Sequence, residues 1–326
     1  MKVKIGLYGT MGHQIHNDLK DHPQAEVVGL CAFDPKDIPD HLKSVSIYPD
    51  LEAMLAVDEI QLISFCSPQK DEQGLQIIAA LKAGKHVYAE KPSCMSEVVL
   101  DEIIETSRLT GMRFHEMNAC LFAEPYPTIR RVVQDGRIGE VIQVFSQKSY
   151  PWVDWRPADE RIDGGLTCQV GIYSLRFAEQ IAGLKVNSLD IRETTLGNDH
   201  LSSHCRRAVS MMMTFENGAV GSAVANYSCP EPPSWNKWGY DTLRIFGTEG
   251  FVETIDSGRI NTIATRGEAP ESFRVPSKSQ DPLDIFIQEI ITGEDAFPLS
   301  LEEELSPLRW VLRAKFGATA APVCEA

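Results

Sequence analysis

Short apolar segments alternate with amphipathic ones along the first 118 residues. Segments with the composition and alternation of β-strands lie at 3–8, 26–33, 60–65, 85–89 and 113–117. Between them, apolar residues at helical spacing lie at 51–56, 72–83 and 97–110, and Ile15 and Leu19 indicate one more helix after the first strand. Strands that alternate with helices predict a doubly wound α/β fold, in which helices cover both faces of a parallel sheet.

The rest of the chain has a different pattern. Strand-like segments follow one another at 140–149, 186–194, 208–215, 219–227, 241–246, 251–254 and 259–264, separated by glycine or asparagine turns. Helices are predicted at 166–182, 282–292 and 301–316. We therefore predict two domains, 1–118 and 119–326, with no low-complexity linker between them.

A glycine turn follows the first predicted strand, where segment 9–14 has the sequence GTMGHQ. Compared with the dinucleotide-binding pattern G-x-G-x-x-G, methionine replaces the second glycine and glutamine the third. Glycines in such a turn let the backbone approach a pyrophosphate, which then lies at a helix N-terminus. Gly9, Thr10, Met11 and Gly12 are the candidate cofactor-binding residues, and an ordinary tight turn is the alternative interpretation.

The end of the second strand bears on the choice of cofactor. An acidic residue there binds the adenosine ribose of NAD, and Asp34 is the candidate. Ala32 instead occupies the discriminating position if Asp34 lies too far along the chain, and Lys36 could then meet a 2′-phosphate. The sequence predicts NAD or NADP without deciding between them.

Two further strand ends carry candidate residues. Ser67 and Pro68 follow the strand at 60–65 and could hold the ribose or nicotinamide end of a cofactor, or could form only a helix N-cap. Glu90 and Lys91 precede a proline after the strand at 85–89. Because ligands bind beyond the carboxyl ends of parallel strands, the Lys91 ammonium is predicted to point into the cleft; a surface ion pair is the alternative.

Charge and cysteine content limit the function classes. With 46 acidic and 31 basic residues, the net charge of −15 argues against nucleic acid and anionic membrane surfaces as partners. The eight cysteines show no ligand spacing and predict reduced thiols in the cytoplasm, without a metal site or disulfide framework. His200 and His204 have helical spacing but lie in a polar link, so we do not expect a metal there. No apolar run is long enough to span a membrane, and no signal peptide is expected.

Several motifs together resemble the Gfo/Idh/MocA family of oxidoreductases nearly from end to end. They are IGLYG at 5–9, the Ser67-Pro68 loop, AGKHV at 83–87 with EKP at 90–92, GRIGEV at 136–141, the glycine pair 164–165, NGA at 217–219 and FGTEG at 246–250. The resemblance implies a dinucleotide-binding Rossmann domain followed by an α+β domain with a large, mostly antiparallel open sheet. It also implies that one face of this sheet covers the cofactor and the other pairs with another subunit, in a homodimer or homotetramer.

The resemblance also implies catalytic residues. Some family members use an aspartate and a histidine four residues apart beside the EKP lysine, and those positions are Gln169 and Tyr173 here. Another branch has tyrosine at the later position, which implies Lys91 and Tyr173 as the proton-transfer pair. A nearby ammonium favours phenolate and would lower the pKa of Tyr173. Gln169 can bind a substrate hydroxyl but cannot take its proton, and a core aromatic is the alternative role for Tyr173.

Other substrate and cofactor contacts are expected near these residues. His115 and Asn118 lie at or beyond the last Rossmann strand, where family members contact nicotinamide and substrate, although either could cap the next helix. Trp155 and Arg156 could line a sugar site or anchor their own loop.

Three functions therefore stay open. The leading hypothesis is hydride transfer between NAD(P) and a hydroxyl or carbonyl carbon of a sugar, cyclitol or small polyol. The second is a retained cofactor that serves net elimination, hydrolysis or epimerisation through transient oxidation. The third is a non-catalytic binding protein, because Met11, Gln14, Ala32 and Gln169 depart from the expected pattern.

Overall fold

A parallel sheet forms the first domain in the computed structural model, which describes residues 2–153, 156–197, 205–229, 239–276 and 280–317. Its strands are β1 (Val3–Tyr8), β2 (Ala25–Cys31), β3 (Ser46–Ile47), β4 (Leu62–Phe65), β5 (His86–Ala89) and β6 (Phe114–Glu116). They lie in the order β3-β2-β1-β4-β5-β6, and every neighbouring pair is parallel. This is the strand order of doubly wound dinucleotide-binding folds, so the predicted fold class is confirmed.

The second sheet has eight strands and is mostly antiparallel. The strands are β7 (Val141–Pro151), β8 (Val186–Thr194), β9 (Ala208–Phe215), β10 (Val220–Cys229), β11 (Tyr240–Gly247), β12 (Gly250–Ile255), β13 (Ile260–Thr265) and β14 (Glu271–Ser272). Their order is β14-β13-β12-β11-β7-β10-β9-β8, and β7 and β10 are parallel while the other pairs are antiparallel.

Helices pack on both sheets. They are α1 (Leu51–Leu55), α2 (Lys70–Lys82), α3 (Glu97–Thr110), α4 (Tyr126–Gln134), α5 (Glu160–Asp163), α6 (Ile172–Arg176), α7 (Pro282–Thr292) and α8 (Leu301–Phe316). The helix predicted at 166–182 is helical throughout, but π-type turns at Thr167–Gly171 and Phe177–Ile181 flank α6. None of the helices in the described ranges is long and apolar enough to cross a membrane.

The helix predicted after the glycine turn is absent. Ile15 and Leu19 lie in turns, joined by a single bond from the Leu19 N–H to the Ile15 carbonyl at 3.1 Å. The usual third glycine lets a helix pack closely on the sheet, but Gln14 fills that space. Its Nε2 donates to the Gly9 carbonyl at 2.9 Å, and its Oε1 accepts from Ser64 Oγ at 2.7 Å. Ile15 and Leu19 instead join a core cluster with apolar residues of α7.

His115 joins the last strand of the parallel sheet to two C-terminal helices. Its Nδ1 lies 2.7 Å from Glu304 Oε2, and its Nε2 lies 2.9 Å from Glu289 Oε2. The ring stacks on Phe297 with the centroids 4.1 Å apart. Burial alone would lower the pKa of His115, but the two carboxylates outweigh it and raise the pKa to about 9. An imidazolium therefore holds α7 and α8 against β6.

This contact predicts a loss of stability at alkaline pH. The folded pKa of His115 lies above its ordinary 6.5, so its contribution is complete below pH 6.5 and disappears as the pH rises through about 9. The free energy of unfolding should fall by roughly 3 kcal/mol between these limits, at about 1.4 kcal/mol per pKa unit. His115→Gln, which does not titrate, should be less stable at pH 6 and show a flatter profile in urea unfolding. An unchanged slope in this variant would contradict the assignment.

Candidate functional site

A cleft lies between the two domains at the carboxyl edge of the parallel sheet. Its volume is about 430 Å³, and its walls come from the glycine turn, the ends of β5 and β6, α6 and the start of α7. Four residues predicted from the sequence line it together: Glu90, Lys91, Asn118 and Tyr173. The cleft is therefore where the cofactor and proton-transfer candidates meet.

Lys91 is held across the cleft by the second domain. The Lys91 side chain is 4% exposed. Its Nζ donates to Gln169 Oε1 at 2.7 Å and lies 3.6 Å from Glu90 Oε1. Gln169 Nε2 donates in return to the Lys91 carbonyl at 2.9 Å and to the Asp163 carbonyl. Gln169 thus positions the ammonium and the backbone of Lys91 with one side chain.

Gln73, on α2, holds the same segment from the other side. Its Nε2 donates to the carbonyls of Glu90 and Pro92, at 2.7 and 2.9 Å, on either side of Lys91. Its Oε1 accepts from the Ser67 N–H at 3.0 Å and from Lys70 Nζ at 2.7 Å. One buried amide therefore connects the Ser67 loop to the Lys91 segment.

Tyr173 lies among three cations. The Lys91 Nζ is 5.6 Å from the ring centroid, the Lys148 Nζ is 4.3 Å away and the Arg176 guanidinium carbon is 5.5 Å away. Burial raises the pKa of Tyr173, and Tyr150 raises it further. Lys91 and Lys148 lower it but do not outweigh burial. The expected lowering of the Tyr173 pKa is therefore wrong, and the hydroxyl is protonated at neutral pH.

Two buried ion pairs behind Tyr173 were not predicted from the sequence. Lys148 Nζ lies 2.5 Å from Asp241 Oδ2, and Arg176 pairs with Glu116 on β6. A signal for Lys148 existed, since it follows Val144 and Ser146 on the inward face of a strand whose alternation was recognised. Arg176 had no such signal, because its partner lies in the other domain.

The backbone of the glycine turn has the features that a dinucleotide requires. Gly9 and Gly12 have backbone φ angles of +71° and +124°. Residues other than glycine rarely adopt such angles. The Met11 N–H donates to the Cys66 carbonyl at 3.0 Å. In the described part of the chain, the N–H groups of Thr10 and Gly12 donate to no partner. Free backbone donors in a glycine turn suit a phosphate group, so the turn fits the pyrophosphate.

Among the other cofactor candidates, Pro68 lies against the glycine turn, whereas Asp34 lies beyond the end of β2. Ser67 Oγ is buried without a hydrogen-bond partner among the described residues, so its hydroxyl is available to a ligand. Pro68 lies against Gly9, since a Cβ there would be 3.0 Å from its ring. Asp34 lies outside β2, where it caps a 3₁₀ turn and pairs with Lys36 at 2.9 Å. This pair leaves the choice between NAD and NADP open.

Two predicted substrate contacts, His115 and Arg156, are not brought to the cleft. His115 has both ring nitrogens engaged by carboxylates, and it does not line the cleft. Arg156 Nη1 instead bonds Asp163 at 3.2 Å and Tyr227 Oη at 3.0 Å. Trp155 lies outside the described residues, as do His200 and His204. Asn118 lines the cleft, although Gln180 and the Cys120 N–H already bind its amide.

Within the described ranges, no three His, Cys, Asp or Glu side chains are grouped so that they could hold a metal ion.

Comparison with known families identifies the class of protein. Residues 3–117 match the model of an oxidoreductase family with an NAD-binding Rossmann fold. Residues 126–253 match the GFO/IDH/MocA C-terminal domain. The chain belongs to the Gfo/Idh/MocA family of oxidoreductases.

Individual relatives are distant. A myo-inositol 2-dehydrogenase of Thermotoga maritima is 22% identical over 274 residues, 79% of this chain and 78% of the relative. A trans-1,2-dihydrobenzene-1,2-diol dehydrogenase of Bos taurus is 24% identical over 62% of this chain and 57% of the relative. An oxidoreductase structure from Thermotoga maritima superposes with a TM-score of 0.83 at 22% identity, covering 97% of this chain and 98% of that one. An aldose-aldose oxidoreductase of Caulobacter crescentus gives 0.79 at 19% identity, covering 98% of each chain. At these identities the structures show a shared fold.

The contact between Gln169 and Lys91 predicts a measurable stability effect. Gln169→Leu removes the amide oxygen that accepts from a buried ammonium, and hydrogen bonds to charged groups contribute about 1.5–3 kcal/mol. We expect a loss of roughly 2 kcal/mol in urea unfolding. Gln76→Leu is the control, since Gln76 donates a single 3.3 Å bond to Tyr8 Oη. Equal losses of unfolding free energy in both variants would show that the hydrogen bond from Lys91 to Gln169 does not stabilise the protein.

Proposed function

We propose that this chain is an NAD(P)-dependent dehydrogenase that transfers a hydride to or from the hydroxyl or carbonyl carbon of a sugar, cyclitol or small polyol. One observation carries the proposal: Lys91 and Tyr173 line one cleft at the carboxyl edge of a dinucleotide-binding sheet. The names of the relatives, which include an inositol dehydrogenase and a dihydrodiol dehydrogenase, support the substrate class.

The proposed mechanism assigns the proton to Tyr173. When bound, the nicotinamide cofactor supplies or accepts the hydride. Because the raised pKa of Tyr173 keeps its hydroxyl protonated, Tyr173 Oη donates this proton to the substrate carbonyl oxygen in the reductive direction. The product hydroxyl then carries the proton, and a phenolate is left on Tyr173.

The surrounding cations stabilise that phenolate. Lys91, Lys148 and Arg176 all lie within 6 Å of the Tyr173 ring centroid, so charge that develops on the oxygen meets positive groups already in place. Gln169 fixes the Lys91 ammonium through a neutral oxygen at 2.7 Å, while the Glu90 carboxylate lies farther away at 3.6 Å. In the oxidative direction the same step runs in reverse, and the phenolate form of Tyr173, stabilised by these cations, takes the substrate proton.

Substitutions of the proposed pair should reduce turnover far more than nucleotide affinity. Positioned acid–base groups contribute about 10²- to 10⁴-fold in rate, so Lys91→Ala and Tyr173→Phe should each lose activity in that range. The measurement is steady-state kinetics with a sugar, inositol or keto sugar found by screening with NAD(H) and NADP(H). Tyr48→Phe is the control, because the Tyr48 ring packs against Gly29 away from the cleft. This substitution should leave turnover unchanged. Near-normal turnover of Tyr173→Phe would make the tyrosine structural and refute its proton transfer.

We also propose that the outward face of the second sheet pairs with a second copy of the chain. Strands β7, β9 and β10 are neighbours, and each presents exposed apolar side chains on this face: Phe145, Met212 and Val220. Exposed apolar side chains on one face of a sheet are typical of a subunit interface. Six cysteines of the described ranges are free and buried, which supports the proposed cytoplasmic location; they are Cys31, Cys66, Cys94, Cys120, Cys168 and Cys229.

Light scattering at micromolar concentration tests this assembly. The wild-type chain should have the mass of two or four copies, and Met212→Glu should shift it towards one copy because a carboxylate would be buried in the interface. Leu75→Glu is the matched control, since Leu75 on α2 and Met212 are each 59% exposed. A wild-type mass of one chain would refute the interface.

A further inference from the structure

The glycine turn lacks the positive charge that such turns usually have. In doubly wound folds the pyrophosphate lies at a helix N-terminus, whose dipole favours anions. Here the residues after Gly12 form turns, so no helix points at the phosphate position. The buried side chain of Glu90 also packs directly against Gly12. A Cβ added to Gly12 would lie only 2.5 Å from Glu90 Cγ. An anionic ligand at this turn therefore has the backbone N–H groups but no helix dipole, and a further side-chain partner would strengthen its binding.

His13 is the one ionisable side chain in segment 9–14, and Glu90 orients it. Glu90 Oε2 accepts from the His13 N–H at 2.8 Å and lies 2.8 Å from His13 Nδ1. Two contacts to one oxygen fix both the backbone and the ring. The His13 side chain is 75% exposed and lines the cleft with Lys91. In the described part of the chain, its Nε2 has no hydrogen-bond partner.

We propose that His13 binds the pyrophosphate of the dinucleotide through its Nε2, with the ring held at Nδ1 by Glu90. The Glu90 carboxylate orients the ring and directs Nε2 away from Glu90. The free N–H groups of Thr10 and Gly12 lie in the same turn, so the proposal brings backbone donors and the His13 ring to one phosphate group. This inference rests on the proposed function, because it assigns a residue to the cofactor of that same site.

Nucleotide affinity tests the inference without a known substrate. NADH and NADPH are titrated into the wild-type chain, His13→Asn and His13→Lys at low ionic strength, with nicotinamide fluorescence or calorimetry as the readout. Asparagine keeps a polar group near Glu90 but has no charge, so the affinity should fall about tenfold, as for a lost charge-assisted hydrogen bond. Lysine supplies a cation that can bind a phosphate and should recover most of the affinity.

His22→Asn is the matched control. His22 also pairs with a carboxylate, with its Nε2 2.8 Å from Asp284 Oδ1, but it precedes β2 at the opposite edge of the sheet. Its substitution should leave nucleotide affinity unchanged, and thermal melting without nucleotide confirms that each variant is folded.

Two results would overturn the inference: wild-type affinity in His13→Asn, or affinity in His13→Lys no higher than in His13→Asn. Absence of binding to the wild-type chain itself is a different result, which would refute the proposed function.

Discussion

The buried ammonium of Lys91 is the constraint on which the site depends. A buried charge is costly unless polar groups surround it, and the nearest acceptor for Lys91 is Gln169, from the other domain. The cleft therefore requires both domains in this arrangement. A second cross-domain contact, the buried Arg176–Glu116 pair, holds α6 against β6 and so fixes Tyr173 beside Lys91.

Most of the fold follows from the hydrophobic pattern. Five strands of the parallel sheet are short and apolar, so their positions were predicted to within a few residues; they are β1, β2, β4, β5 and β6. The edge strand β3 was not predicted, because its two residues are both exposed and show no alternation, and α4 was also not predicted. In the opposite direction, periodicity at Ile15 and Leu19 indicated a helix that is absent. Gln14 occupies the space that a glycine would have left for it, and tertiary packing against α7 overrides the local pattern.

The candidate site was predicted less completely, for physical reasons. Lys91 belongs to the EKP motif after β5, and Tyr173 lies on α6 after the glycine pair. The structure brings these two residues together in one cleft. His115 was expected at the substrate because it ends a strand, but its carboxylate partners come from helices nearly two hundred residues away along the chain. Such long-range pairing leaves no trace in local sequence, and the same is true of Arg176 and its partner Glu116 on β6.

The central claim is that this cleft holds a nicotinamide dinucleotide beside Lys91 and Tyr173. The most direct measurement is a calorimetric titration of the purified wild-type chain with NADH and with NADPH. The account predicts saturable binding of at least one of them at one site per chain, with fluorescence energy transfer from protein tryptophan to the nicotinamide. No binding of either dinucleotide at millimolar concentration would contradict it.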